Sequence, residues 1–166
     1  MSPDHIDRMI DVNCRGPLRL ARALAPAMRE RGRGGLIFMS SMSGNYGSAQ
    51  LTVYAATKAF DLVFSDALWA ELRTSGVDVL AVQPGSTRTP GWQSSQPEGA
   101  DASGGTVMEP TDVVREALDT LGLEPVLIPG DMGRAKDGSG RLAHAARRPS
   151  TACAICWMLV LPQMAA

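Results

Sequence analysis

The stretch LIFMSSMSGNYGSAQLTVYAATKAF, residues 36–60, indicates the fold class of this chain. It opens with a continuous apolar run over residues 36–39, which predicts a strand buried on both faces, as in a parallel sheet. Residues 40–50 are small, polar and glycine-containing, and predict a loop. An Ala- and Leu-rich helix is then predicted from Leu51 to Thr74, ending at Gly76. The stretch therefore predicts a strand–loop–helix unit of an α/β fold.

On the N-terminal side, Ser2-Pro3-Asp4 predicts the start of a helix. Ser2 can cap the helix, and Pro3 suits its first turn, where a missing N–H costs nothing. Apolar residues recur at helical spacing from there to Met28. Pro17 and Pro26 predict breaks, so local rules alone favour two helices in this region.

On the C-terminal side, residues 77–82 predict a second strand that Pro84-Gly85 ends. Residues 90–108, rich in Gly, Ser, Gln and Pro, predict a long flexible loop of the kind that often covers a substrate. A helix follows from Pro110 to Gly122, and residues 126–128 predict a third strand ended by Pro129-Gly130. The alternation of helix and strand predicts a parallel sheet with crossover helices.

The composition favours a single globular domain without a nucleic-acid or membrane partner. The chain has 166 residues, 45% hydrophobic and 20% charged, with a net charge of −1. This charge balance gives no electrostatic reason to bind nucleic acid or an anionic membrane. The N-terminus is not typical of a signal peptide, and apolar residues 152–166 are too few to span a membrane. Three cysteines make no disulfide framework, which predicts a cytoplasmic location.

Tyr54 and Lys58 form the first pattern that indicates chemistry. A helix places residues four apart on one face, so the phenol and the ammonium can share a site. An adjacent cation favours a phenolate, and a tyrosine in that setting can donate or accept a proton near neutral pH. The alternative is a surface tyrosine beside a solvated lysine, and the pair alone does not decide between them.

Ser41 follows the first predicted strand and precedes Tyr54 by thirteen residues. Ligands of parallel α/β sheets bind at the carboxyl ends of the strands. A hydroxyl at that position can donate a hydrogen bond to a substrate carbonyl. The alternative is an ordinary serine-rich turn.

Together these residues resemble the catalytic stretch of the short-chain dehydrogenase/reductase family. Its Ser-x12-Tyr-x3-Lys spacing is met by Ser41, Tyr54 and Lys58. Val12-Asn13 is similar to the family's helical Val-Asn and would make Asn13 the fourth catalytic residue. Leu24-Ala25-Pro26-Ala27-Met28 is similar to an element within a long helix of the family, which implies that Pro26 does not break the helix.

The resemblance implies NAD or NADP as cofactor and a small carbonyl or alcohol as substrate. Tyr54 would be the general acid or base, Lys58 would favour its phenolate and hold the cofactor ribose, Ser41 would orient the substrate, and Asn13 would support a water-linked proton relay. Residues 82–89 resemble the family's Pro-Gly turn beside the nicotinamide, although Pro-Gly alone could be a simple turn. The implied cofactor-binding residues are Tyr54, Lys58, Pro84, Gly85, Thr87 and Thr89; no metal site is predicted.

The chain also departs from the family pattern. It has no glycine-rich turn of the kind that holds a cofactor pyrophosphate at a helix N-terminus. The resemblance therefore implies a partial Rossmann-type parallel sheet, about three strands with flanking helices, with the N-terminal half of the fold missing. Residues 1–130 would be the C-terminal part of the domain, and residues 131–166 a divergent, poorly ordered tail. Weak or absent NAD(P) binding is expected for this chain alone.

Other assignments compete with the enzyme. The chain could be a truncated, non-catalytic fragment that self-associates through the helices of residues 3–30 and 51–75, which would form a dimeric helix bundle in the family. A Ser-Lys amidase is another possibility, but the strand–helix context and the Pro-Gly turn favour hydride transfer. The Cys153-x-x-Cys156 pair lies in an apolar tail, which favours a structural or incidental role.

Overall fold

Three parallel strands form the sheet of this protein in the order β1–β2–β3. The structure is a computed structural model that describes residues 1–47, 49–95 and 107–134. The strands are β1 (Gly34–Met39), β2 (Val77–Val82) and β3 (Val126–Leu127). Gly34 pairs with Val77 and the register runs unbroken to Met39 and Val82, while β3 pairs with the end of β2. The predicted parallel α/β sheet is confirmed.

The N-terminal residues are helical without a break from residue 3 to residue 30. They form α1 (Pro3–Ile10), a π-helical turn (Asp11–Arg15) and α2 (Gly16–Glu30). The Ser2 hydroxyl accepts a hydrogen bond from the His5 N–H, as expected of a helix cap. The two-helix prediction is wrong at Pro26, which lies inside α2. Buried Ala21 and Ala25 pack this helix into the core, and such packing outweighs one lost hydrogen bond.

The long central helix follows the loop after β1. It is α3 (Thr52–Leu72), extended by a 3₁₀ turn (Arg73–Ser75). Its end at Gly76 is confirmed, and a φ of 72° gives the physical reason. A left-handed residue ends the helix there, and a side chain at this position would collide with the carbonyl oxygen of Gly32.

The C-terminal elements are α4 (Pro90–Ser95), α5 (Pro110–Thr120) and α6 (Asp131–Arg134). The predicted loop over residues 90–108 is therefore wrong at its start, and residues 96–106 lie outside the described part. The predicted tail begins with α6, and its residues 135–166 lie outside the described part. No helix within the described ranges is long and apolar enough to cross a membrane.

The sheet has a core on each face, and β2 contributes to both. Val77 and Val79 pack on one side with Ala21, Ala25, Phe38 and Leu72. Leu80 and Val82 pack on the other side with Val113, Ala117 and Leu127. The expectation that β1 is buried on both faces is wrong, since Ile37 is 36% and Met39 46% exposed. On that face Leu121, directly after α5, lies close to Gly35, where a Cβ would come within 2.9 Å of its side chain.

Candidate active site

The carboxyl ends of β1 and β2 hold two loops side by side. The Ser40 N–H donates to the carbonyl of Val82 at 2.8 Å, and the Met42 N–H donates to the carbonyl of Pro84 at 3.1 Å. These bonds continue the strand pairing beyond the strands themselves. The serine-containing turn after β1 therefore lies next to the Pro-Gly turn after β2, where parallel α/β sheets bind ligands.

Helix α3 brings Tyr54 and Lys58 to the same place. The Lys58 ammonium lies 6.0 Å from the centre of the Tyr54 ring. It donates to the Met39 carbonyl at the end of β1 at 2.6 Å and to Asp61 Oδ2 at 3.2 Å. The side chain of Lys58 is only 13% exposed. Its ammonium is therefore held inside the protein, and the solvated-lysine alternative does not describe it.

Asn13 reaches this helix from the π-helical turn. Its Nδ2 donates to Thr57 Oγ1 at 3.0 Å, and the same hydroxyl donates to the backbone carbonyl of Tyr54 at 2.8 Å. A π turn adds a residue to a helical turn and occurs often at functional sites. The turn therefore places the Asn13 side chain against Thr57, which directly precedes Lys58 and follows Tyr54 by three residues.

Ser41 begins the 3₁₀ turn Met42–Asn45. Its hydroxyl oxygen accepts a hydrogen bond from the Ser43 N–H at 3.2 Å. Within the described ranges, the Ser41 hydroxyl donates a hydrogen bond to no protein group. The Tyr54 hydroxyl makes no hydrogen bond with any protein group in the same ranges. Both hydroxyls are therefore available to a substrate oxygen.

Two residues that the sequence argument did not single out fix this loop against α3. The Ser40 hydroxyl donates to the Lys58 carbonyl at 2.7 Å, and Ser40 is buried. A Cβ on Gly44 would come within 2.8 Å of the Lys58 backbone. Only glycine allows so close an approach. Gly44 lies in the quoted stretch, but its contact is with a residue fourteen positions later, which local patterns do not show.

The residues after β2 divide into two groups. Pro84 and Gly85 are half-buried beside the Ser41 turn. Thr87 donates to the Gly85 carbonyl at 3.1 Å, and the Thr89 hydroxyl accepts from the Trp92 N–H at the start of α4. In the described ranges, no hydrogen bond joins either threonine side chain to the group around Tyr54.

Buried Gln83 ties the two loops together. It is 1% exposed, and its Nε2 donates to Asn45 Oδ1 at 2.9 Å. Its backbone N–H donates to the Leu127 carbonyl on β3. The Gln83 Oε1 has no hydrogen-bond partner in the described part of the chain, so this side chain links the serine turn to the sheet through its amide nitrogen alone.

Asp61 is a further charged group of this cluster, and a residue that the sequence argument missed. It is 2% exposed. Burial raises the pKa of its carboxyl above the ordinary value of 3.8, and the charge of Lys58 and its hydrogen bond oppose that rise. The sequence did offer a signal for Asp61. It follows Lys58 by three residues, and Lys58 follows Tyr54 by four, so helical spacing places this carboxylate on the face of α3 that is otherwise buried.

Comparison with known proteins identifies relatives of this arrangement. The family model described as short chain dehydrogenase matches residues 1–99. A very-long-chain 3-oxoacyl-CoA reductase from Anas platyrhynchos is 34% identical over 119 residues, 72% of this chain and 36% of the relative. A 7beta-hydroxysteroid dehydrogenase from Clostridium sardiniense is 30% identical over 130 residues, 78% of this chain and 49% of the relative.

A solved structure extends the similarity to the fold. The short-chain dehydrogenase from Sphingobium yanoikuyae, in complex with NADPH, is 31% identical with a TM-score of 0.69. The match covers 97% of this chain and 58% of that one. The chain therefore spans between about a third and somewhat more than half of the length of these relatives, all of them dehydrogenases or reductases.

Proposed function

The chain belongs to the short-chain dehydrogenase/reductase family, and on that premise we propose that it supplies the proton-transfer residues of an NAD(P)-dependent oxidoreductase. The reaction interconverts a carbonyl and an alcohol. One observation carries the proposal: Tyr54, Lys58, Asn13 and the Ser41 turn meet where β1 ends and α3 begins. Each comes from a different segment or helical turn, and their spacing matches the family motif.

The roles follow from the contacts. The Tyr54 hydroxyl donates a proton to the substrate oxygen in reduction and accepts it in oxidation, and Ser41 donates a second hydrogen bond to the same oxygen. Lys58 lies on the same helix face as Tyr54, with its ammonium 6.0 Å from the centre of the Tyr54 ring. The Asn13 side chain is held on Thr57, beside Lys58, and we propose that Asn13 supports a water-linked proton relay. A bound NAD or NADP supplies the hydride.

The residues present fit the nicotinamide end of such a cofactor. An ammonium has three donors, and Lys58 uses two of them on Met39 and Asp61, which leaves one for a ribose hydroxyl. Pro84 and Gly85 are half-exposed at the neighbouring strand end, with Thr87 and Thr89 beyond them. Because the sequence has no glycine-rich pyrophosphate turn, we propose that this chain alone binds NAD(P) weakly or not at all.

The substrate class rests on the relatives. Their names specify an oxoacyl reductase and a hydroxysteroid dehydrogenase, and both chemistries exchange a carbonyl for an alcohol. The NADPH complex of the Sphingobium yanoikuyae relative supports NADP or NAD as cofactor without selecting one. We propose that the substrate is a small molecule with a carbonyl or alcohol group, and that the protein is located in the cytoplasm.

Substitution of Tyr54 tests the proposal in a full-length version that carries the N-terminal segment of the relatives. Tyr54→Phe deletes only the proton-transferring hydroxyl, and we expect carbonyl reduction to fall by about 10²–10⁴-fold, the usual contribution of a positioned acid. Reduction of a ketone panel is followed by NADPH and NADH absorbance. Tyr46→Phe, at a tyrosine that is 62% exposed, is the matched control. Near wild-type kcat in Tyr54→Phe would contradict the proposed role.

A second function, self-association, is favoured by apolar side chains on the helices. Leu20 is 61% and Leu24 46% exposed one turn apart on α2, and Val63 is 73% exposed on α3. Apolar residues at this spacing mark a surface that another subunit can cover. We propose that residues 3–30 and 51–75 mediate homo-oligomer formation. Light scattering on Leu20→Gln/Leu24→Gln tests it, and an unchanged mass would contradict the assignment.

A further inference from the structure

Asp61 is unusual among the charged residues because its carboxylate is buried while one of its two oxygens has no hydrogen-bond partner in the described part of the chain. It is 2% exposed, and its Oδ1 accepts no hydrogen bond from any group in the described ranges. Placing a carboxylate in the protein interior is unfavourable unless it is paired and hydrogen-bonded. A residue that served packing alone would avoid this cost, so the carboxylate needs another explanation.

The explanation lies in its one polar side-chain partner. Asp61 Oδ2 is 3.2 Å from the Lys58 ammonium, and both side chains are largely buried, 3% and 13% exposed. The second anchor of the same ammonium is the Met39 carbonyl, from the end of β1. A lysine side chain has four rotatable bonds and holds one position only when it is fixed from more than one side. Asp61 and Met39 fix it from a helix and from a strand.

Cys14 shows that the charges of this pair extend toward the π-helical turn. Burial raises the pKa of its thiol above the ordinary value of 9.0. The negative charge of Asp61 raises this pKa further, and the positive charge of Lys58 lowers it. Because these two effects have opposite directions, the Cys14 thiol in the π-helical turn can serve as a reporter group in a test of the ion pair.

We propose that Asp61 is a positioning residue for Lys58, holding its ammonium at the end of β1 and one turn below Tyr54. The significance of this role rests on the function proposed above. Asp61 follows Tyr54 by seven positions, which corresponds to about 10 Å along a helix axis, and Lys58 lies between the two. The positive charge of Lys58 therefore lies toward the Tyr54 phenol, and the negative charge of Asp61 lies on the side of Lys58 away from Tyr54.

The test reads out both charges and needs no hydride transfer. Acetic anhydride at trace level labels lysine amines, and iodoacetamide labels thiols; peptide mass spectrometry then reports each site at submicromolar protein. The chain has only two lysines, so Lys136 is an internal reference for Lys58. The variants are Asp61→Asn, Lys58→Met and the matched control Asp66→Asn, which changes a half-buried aspartate of the same helix.

We expect Asp61→Asn to raise Lys58 acetylation relative to Lys136 by about threefold or more, because the amine loses one of its two anchors and its flexible side chain becomes more accessible to the reagent. Cys14 alkylation should become faster in Asp61→Asn and slower in Lys58→Met. A variant that merely loosened the fold would speed alkylation in both. Asp66→Asn should change neither readout.

Three results would overturn the proposal: unchanged Lys58 acetylation in Asp61→Asn, Cys14 rates that move in the same direction in both variants, or an equal effect of Asp66→Asn. Since none of these readouts involves a cofactor or a substrate, an inactive enzyme leaves the test intact. Failure of the Tyr54→Phe experiment and failure of this one are therefore distinguishable.

Discussion

β1 and β2 are adjacent parallel strands of six residues each, yet they lie in different surroundings. β2 pairs on both sides, and five of its six residues are buried. β1 pairs with β2 alone among the described residues and buries only Phe38. The two strands are similar in apolar content, so the difference comes from which elements pack on them.

Their carboxyl ends show a different division of roles. β1 ends in the Met39 carbonyl that receives the Lys58 ammonium, followed by Ser40 and Ser41. β2 ends in buried Gln83 and the Pro84-Gly85 turn. β2 thus contributes most of the apolar burial that stabilises the fold, while the less buried β1 contacts the proposed proton-transfer group directly.

The largest expected effect is at the centre of β2. Leu80 is fully buried, and its register partner on β1 is Ile37. Leu80→Ala should lower the free energy of unfolding by about 2–5 kcal/mol, the usual cost of lost apolar contact plus a cavity. Ile37→Ala should cost about 1 kcal/mol, since its surroundings are open to solvent and no closed cavity forms. Urea denaturation of both variants measures the difference, and equal losses would contradict it.

A smaller effect is expected where the loop after β1 meets α3. Gly44→Ala places a Cβ against the Lys58 backbone and should cost about 1–3 kcal/mol through overpacking. The displaced loop carries Ser40 and Ser41, so activity of a full-length version should fall as well. Gly47→Ala is the matched control, because a Cβ there meets nothing within 4 Å. Similar urea midpoints for the two variants would show that the contact is dispensable.

The helices and strands were predictable where the sequence carries a local signal for them. Ser2 and Pro3 mark a helix start, Gly76 marks a helix end, and the apolar run before Ser40 marks a strand. Pro26 misled local rules, because packing of α2 decides whether a helix continues through a proline, and packing is not local. The exposure of Ile37 was unpredictable for the same reason.

The candidate site likewise has features that the sequence shows and features that only the structure shows. The spacing of Ser41, Tyr54 and Lys58 is visible in the sequence, and the structure brings Tyr54 and Lys58 together on one helix face. The roles of Ser40 and Gly44 depend on contacts between α3 and another segment, which no pattern of residue types reveals. The helical spacing of Asp61 from Lys58 is visible in the sequence, but its burial is not. Thr87 and Thr89 remain predictions as cofactor contacts.

The buried carboxyl group of Asp61 should make the stability of the protein depend on pH. Burial raises the pKa of Asp61 in the folded state, so the folded protein holds this proton more tightly than the unfolded chain. The resulting stabilisation is full below the ordinary value of 3.8 and is lost as pH rises through the raised pKa. Asp61→Asn should therefore gain stability relative to wild type as pH rises, measured by urea denaturation from acid to neutral pH. A difference independent of pH would contradict this linkage.

The smallest change in stability is expected on the open face of β1, where it distinguishes the two strands most cleanly. An exposed edge strand with apolar side chains can pair with another chain, and charged residues are what natural edges use to prevent this. Ile37→Lys should change the free energy of unfolding by no more than about 0.5 kcal/mol. It should nevertheless reduce the self-association of the isolated chain, measured by light scattering at matched concentrations.

Leu118→Lys is the matched control for Ile37→Lys, since Leu118 is 62% exposed on α5. The lysine should leave association unchanged there, because α5 presents no unpaired strand. Isothermal titration of the same samples with NADH and NADPH should show weak or absent binding, as expected of a sequence without a pyrophosphate-binding glycine turn. A monodisperse wild-type monomer that binds either cofactor at micromolar Kd would contradict both expectations. It would mean that β1 is protected at its edge and that the residues around Lys58 suffice to hold the cofactor.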